Sequence, residues 1–374
     1  MCKINLFSNK GEKVTMVKAP TLEDEYFQKD ILFGVSRTFA LTIPQLPPIL
    51  ERAVANAYLL CRIQDTIEDD PDMSLGAKSG FSNQFVQIIT GDSDAKLFAE
   101  TLVKNLSPKT LREEIKLVES TDRVIRITQD LKPNQKNAIS NCVTKMATGM
   151  MLYQERESVG GLLDQNEMDK YCYFVAGVVG EMLTHIFCDY CPELTNKKNY
   201  MLQLSVSFGQ GLQMTNILKD IWTDKERGAC WLPQKVFEKH DVVLSEVAPG
   251  EGGTHFELAL KDLLALATGH LKNALAFTLM LPRNQPGMRR FCLWALGMAV
   301  LTLVKINKNP SFKSGSEVKI SRRWVKATIV TTSFLSRSNQ CLNILFKIGT
   351  KSLRITPVTI PLKSISDLAD PQDT

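Results

Sequence analysis

Strand-type alternation of apolar and polar residues is nearly absent from this sequence, and no GxGxxG turn follows a strand. A β-sandwich, a barrel and a readable dinucleotide-binding βαβ unit are thereby excluded. Histidine is scarce, with four in 374 residues, and no metal-ligand cluster forms around it. His185, Cys188 and Cys191 have helical spacing, but a fourth zinc ligand is missing. The nine cysteines are odd in number and lack framework spacing, which predicts free thiols in a reducing compartment. Charge excess is also missing: 45 basic against 40 acidic side chains leave +5, too little to imply a nucleic-acid partner. The first eighteen residues lack the apolar core of a signal peptide. The longest apolar run, Phe291 to Val304, is fenced by Arg289, Arg290 and Lys305, short of the roughly 20 residues a spanning helix needs. These absences predict a cytoplasmic chain with no transmembrane anchor.

What is present is helical periodicity in a composition typical of globular proteins, 44% hydrophobic and 23% charged. Leu32, Val35, Phe39 and Thr42 recur at helical spacing before Pro44. Further helices are expected over 48–69, 81–91, 93–105 and 108–129, then from Pro133 to Ser158, from 164 or 166 to 189, and over 197–223, 255–281 and 291–305. The reading is all-α, a single helical domain over 21–335, with a disordered 1–20 and a basic tail over 336–374. Between Lys305 and Arg354 stand eleven Lys/Arg against one acid, Glu317. With Trp324, Val330 and Phe334 nearby, that segment is a candidate for contact with an anionic membrane, on the inner face in a cytoplasmic chain.

Two acidic segments carry the chemistry: Asp65-Thr66-Ile67-Glu68-Asp69-Asp70 and Asp220-Ile221-Trp222-Thr223-Asp224. In each, two aspartates sit at i and i+4 on one helix face, close to a helix C-terminus where the macrodipole disfavours anions. Like charges repeated in that position imply a cation between them. Magnesium suits oxygen ligands and keeps coordination sites open for a substrate phosphate. Arg62 precedes the first pair by one turn; Lys219 adjoins the second and Arg227 follows it.

These segments resemble the two aspartate-rich motifs of the squalene/phytoene synthase family, Tyr58 to Asp69 and Gln213 to Asp224. Val35-Ser36-Arg37-Thr38-Phe39, Gly149-Met150 and Asp169 to Gly180 (DKYCYFVAGVVG) resemble three more of its elements, in order. The resemblance implies an isoprenoid-synthase helical bundle around a central cavity, condensing two farnesyl diphosphates head to head. It further implies that Asp65, Glu68, Asp69, Asn216, Asp220 and Asp224 hold Mg2+. Arg37, Arg62, Lys219, Arg227 and Gln213 would meet substrate and diphosphate, although Lys219 stands where the family usually has Arg. Phe39, Tyr58, Val175, Ala176, Leu183 and Phe291 would wall the cavity, and Tyr171 would assist proton transfer or diphosphate departure. Cys230-Trp231-Leu232-Pro233 and Phe291-Cys292 resemble the squalene-forming members, which reduce the cyclopropyl intermediate with NADPH. Trp294-Ala295-Leu296 departs from their pattern. Dehydrosqualene, hydroxysqualene or phytoene formation without NADPH therefore stays open, as does a non-catalytic assembly factor of the same fold. The segment Tyr171 to Gly180 argues against a terpene cyclase or a head-to-tail prenyltransferase.

Overall fold

The computed structural model describes residues 19–360 apart from positions 37, 92, 156 and 157. Its longer helices are α1 Leu22–Val35, α2 Pro48–Glu68, α3 Leu75–Thr90, α4 Ala95–Asn105, α5 Arg112–Glu119, α6 Thr121–Asp130 and α7 Pro133–Gln154. Then come α8 Gln165–Tyr190, α9 Lys198–Glu226, α10 Gly253–Met280, α11 Pro286–Lys308, α12 Arg322–Leu335 and α13 Asn339–Gly349. Among the described residues the only β pairing is an isolated parallel bridge between Leu162 and Pro233. The expected all-α class is what forms.

Local chemistry sets the helix ends. Thr21 opens α1 with a capping box: its hydroxyl accepts the Asp24 N–H at 3.2 Å, and the Asp24 carboxylate accepts the Thr21 N–H at 2.9 Å. The same carboxylate takes two bonds from Arg126 of α6, which hold its pKa down to about 2 against the cost of burial. Prolines open α2, α7 and α11 at positions where no N–H is needed. Asp70, which the sequence groups with the acidic motif, is instead a buried structural carboxylate. It accepts N–H bonds from Asp72, Met73 and Ser107, and so fixes the turn that ends α2.

Two expected helices are broken. The run from Leu32 to Thr42 stops at Ser36, whose backbone is extended and whose hydroxyl accepts the Phe39 N–H at 2.9 Å to start a separate single turn, Phe39–Thr42. The run over 108–129 is divided at Ser120 into α5 and α6. Apolar spacing alone does not register such breaks.

The core lies where α8, α9, α10 and α11 pack on one another, with Phe187, Leu218, Leu271, Phe277 and Leu303 buried among them. Each such side chain contributes about 1.5–3 kcal/mol by burial. The α8–α9 crossing is closer than side chains allow. A Cβ on Gly180 would sit 2.1 Å from the Ser205 carbonyl oxygen, and one on Gly209 2.2 Å from that of Ala176. Within α8, residues Tyr173–Gly177 form a π-helical turn, which shifts the face that the following residues present.

The segment expected as a tail from 336 is, as far as residue 360, bound to the bundle. Arg289 is fully buried, and its guanidinium donates to the carbonyls of Thr278 and of Ser336, the latter at 2.7 Å, and to the Asn339 side chain. The Thr356 N–H bonds the Ala265 carbonyl at 3.0 Å, and the Asn273 amide donates to Val358 at 3.0 Å. The N-terminal stretch expected as disordered lies outside the described residues through position 18, and so does 361–374.

The expectation that the chain has no segment able to cross a membrane, and the placement drawn from it, is overturned. Three helices, Gln165–Tyr190, Gly253–Met280 and Pro286–Lys308, are long and apolar enough by length and composition, and 61–67% of each apolar window is buried within the fold. Counting uninterrupted apolar residues ended the last of these at Arg290 and Lys305, whereas the helix itself runs for 23 residues.

Candidate active site

Helix geometry places Tyr58, Arg62, Asp65 and Asp69 along one stripe of α2, and Gln213, Asn216, Asp220 and Asp224 along one stripe of α9. The fold then brings the two C-terminal ends together. Asp65 is recessed, and burial pushes its pKa up to about 7; Arg62, its Nη1 at 3.6 Å, opposes the shift, while Asp69 and Glu114 add to it. Asp224 is raised to about 6, first by burial and then by Asp220, with Asp69 contributing and Arg227 opposing. Asp69 stands at the open rim, yet the surrounding recess withholds enough water to raise it too, against Arg62 and Arg227. The acids of α2 and α9 therefore feel one another, and Arg227 lies within reach of both sets.

Tyr171 faces the same place from α8. Burial holds its hydroxyl far above the ordinary tyrosine range, and the charges of Glu68, Asp224 and Asp69 reinforce this. Its ring stacks on Trp231 with centroids 4.2 Å apart and planes 5° from parallel, while Tyr153 meets it edge-on at 5.2 Å. Phe39 packs on Tyr58 at 5.2 Å, and the Tyr58 hydroxyl donates to the Val35 carbonyl at 3.1 Å. Val175, Leu183, Phe39, Tyr58 and Trp231 pack against the core yet keep partial exposure, as walls of a recess do. Ala176 is also half-buried, directly over Gly209. Phe291 is buried against Phe187, deeper in the bundle. Lys219 pairs with Asp220 at 3.0 Å, and Asn216 and Arg227 are exposed. Arg37 lies outside the described residues.

Sequence spacing missed Glu114. It reaches in from α5 to bind Arg62, and burial, which works against the guanidinium's charge, is outweighed by Asp65 and Glu114. Lys78 and Gln154 cover the Glu68 carbonyl, the latter at 2.8 Å. None of these three lies in an acidic or basic motif, so only the fold discloses them. A separate cleft of about 530 Å3 between α7 and α8, lined by Asn137, Lys145, Glu181 and His185 among others, contains no sequence-predicted site residue.

Burial and mutual repulsion raise these carboxylates beyond what Arg62 and Arg227 offset, which is the condition of a donor set fitted to a hard cation. Among the described residues no three acidic, histidine or cysteine side chains converge to hold an ion unaided. Magnesium does not need such a cage, because it keeps waters and binds through one or two carboxylates plus substrate phosphates.

Two acidic helix ends facing one another beside an aromatic-walled recess, in a bundle of helices, define an isoprenoid-synthase fold. The squalene/phytoene synthase model matches residues 32–324, and the chain belongs to that family. It is 30% identical to a squalene synthase of Cyberlindnera jadinii over 312 residues, 83% of this chain and 66% of that protein. Against a squalene synthase of Candida albicans it is 28% identical over 294 residues, 76% of this chain and 62% of that protein. The match thus spans just under two thirds of these relatives. In structure it resembles a ligand complex of TcSQS (TM-score 0.70, 23% identity, 93% of this chain and 96% of that one). It also resembles a liganded dehydrosqualene synthase (TM-score 0.62, 19% identity, 84% and 96%). These likenesses bear on the fold.

Proposed function

We propose that the chain is a prenyltransferase that joins two farnesyl diphosphates head to head through presqualene diphosphate and converts the product to squalene. The observation that carries this reading is the meeting of Asp65, Asp69, Asp224 and Tyr171 at one recess. Ionising an allylic diphosphate requires its departing charge to be stabilised. Arg62 and Arg227, with Arg37 by resemblance, would grip its oxygens, guanidinium being suited to paired bonds. Magnesium, held by Asp65, Glu68, Asp69, Asn216, Asp220 and Asp224, would add Lewis-acid stabilisation of the leaving group. The Tyr171 hydroxyl stays protonated at neutral pH, so it can donate to departing diphosphate. Its stacked ring and the Phe39, Tyr58, Val175 and Leu183 walls exclude water and offer π faces to a carbocation. NADPH would supply the hydride of the final reduction.

Product analysis by gas chromatography–mass spectrometry, with farnesyl diphosphate and Mg2+, tests this directly. Squalene that forms only with NADPH is the expected result. Dehydrosqualene or hydroxysqualene regardless of NADPH would move the chain to a sister activity, and no product from farnesyl or geranylgeranyl diphosphate would overturn the enzyme reading. Trp294, in the segment that departs from the squalene-forming pattern, donates its indole N–H to Ser333 of α12 at 3.2 Å, so in this chain that position docks a helix.

The raised carboxylates also predict a pH signature. Asp65 and Asp224 titrate higher in the fold than in the unfolded chain, so between about pH 4 and 7 the native state binds more protons. Metal-free stability from these groups must then fall as pH rises through about 6–7. Mg2+ binds the ionised form, so its stabilising shift in melting temperature is expected to be larger at about pH 8 than at about pH 5. A magnesium shift independent of pH would argue against these acids as its ligands.

A further inference from the structure

Glu114 belongs to no acidic motif, yet the fold sets its carboxylate against the acidic stripe of α2. It stands in the first turn of α5, where the helix dipole favours a negative charge. Leu117 and Val118, both fully buried, anchor α5 in the bundle, and the Lys116–Asp30 ion pair at 3.2 Å ties it to α1. From this fixed position the Glu114 side chain, 12% exposed, accepts a hydrogen bond from Arg62 Nη2. Arg62 is thereby held between two carboxylates. Its Nη1 stands 3.6 Å from Asp65, one turn further along α2, which is longer than a hydrogen bond. Its Nε is buried and has no hydrogen-bond partner among the described residues. The charge of Glu114 also reaches Asp65 and Asp69, so its field by itself opposes an anionic ligand at that stripe.

We propose, on the reading that this recess takes a diphosphate, that Glu114 is a positioning residue: it holds the Arg62 guanidinium off Asp65. Asp65 is then left free for a cation, and Arg62 keeps an N–H to donate to a diphosphate oxygen. Arg62 and Asp65 have i, i+3 spacing, at which opposite charges on a helix meet. Without Glu114 the guanidinium would close the remaining distance, and the anion-binding donor and the metal-binding acid would occupy one another. Bound along one edge by Glu114, the same guanidinium still offers N–H groups elsewhere, because its five donors lie in a rigid plane. A pure field effect has the opposite sign. Removing a negative charge from beside a diphosphate would strengthen binding, whereas releasing Arg62 onto Asp65 weakens it.

Calorimetric titration of the full chain with inorganic diphosphate and Mg2+ tests this without any turnover. Glu114→Ala is expected to weaken binding about tenfold or more, and Glu114→Gln, which keeps an acceptor oxygen for Arg62, by about threefold. In an Arg62→Met chain, itself a weaker binder, Glu114→Ala should cause no further loss, because the residue acts through Arg62. Thermal unfolding identifies the variants that fold, and should Glu114→Ala not fold, Glu114→Gln carries the same test. Binding that tightens or is unchanged in the folded variant, or losses at positions 62 and 114 that add, would overturn the proposal. A wild-type chain that binds no diphosphate would remove the reading of the recess and this role together. Wild-type binding with unaffected variants would remove the role of Glu114 alone.

Discussion

Asp65→Asn and Asp224→Asn are each expected to slow farnesyl diphosphate turnover by on the order of 10²–10³-fold while leaving the chain folded. Asparagine keeps the shape and one oxygen of aspartate but removes the charge that would hold magnesium against diphosphate. The fold itself gains nothing from that charge. Burial and neighbouring acids already push Asp65 up to about 7 and Asp224 to about 6, which means ionised carboxylates are disfavoured there without a cation. The metal-free variants should therefore melt at or above the wild-type temperature near neutral pH, with turnover lost. Steady-state kinetics beside thermal unfolding checks both halves. Near-normal turnover would remove the metal assignment, and a large fall in melting temperature would show that the carboxylates are structural.

The second large effect is on stability. Gly180→Ala should destabilise the chain by about 3 kcal/mol or more, because the new methyl would meet a backbone carbonyl 2.1 Å away that no side-chain rotation can move. The α8–α9 crossing would have to open, displacing the helix that carries Tyr171 from the one that carries Asp220 and Asp224. Gly80→Ala on α3 is the control: a Cβ there meets nothing within 4 Å, and the change should stabilise the helix by about 0.5–1 kcal/mol. Urea unfolding of the two variants reads the contrast. A Gly180→Ala chain as stable as wild type would mean that the crossing relaxes freely.

Gly180 also illustrates how far the sequence could be read. The segment Tyr171 to Gly180 is legible as a motif, yet the reason for Gly180 is a close approach to the Ser205 carbonyl, which no spacing within the motif encodes. Likewise, the acidic residues of α2 and α9 were legible as pairs, because an i, i+4 spacing is a property of one helix. Asp70 looked like a member of the first set until the fold gave its carboxylate three backbone donors. Glu114 gave no local signal at all, since its role depends on α5 being laid beside α2. The length of the helix around Phe291 was underestimated because isolated charges were counted as ends.

The sequence by itself determined the all-α class, the positions of the two acidic stripes and the family. All three follow from short-range periodicity and ordered motifs, which survive without knowledge of the fold. Tertiary structure alone decided which acids share a recess, that Tyr171 lies on Trp231 and beside them, and that residues 336–360 are strapped to α10 and α11 through Arg289 and Thr356. It also decided which sides of α12 and α13 face outward with their apolar residues exposed. The physical reason is that burial, desolvation and the field of neighbouring charges are set by residues distant in the chain, and they come into being only when the helices pack.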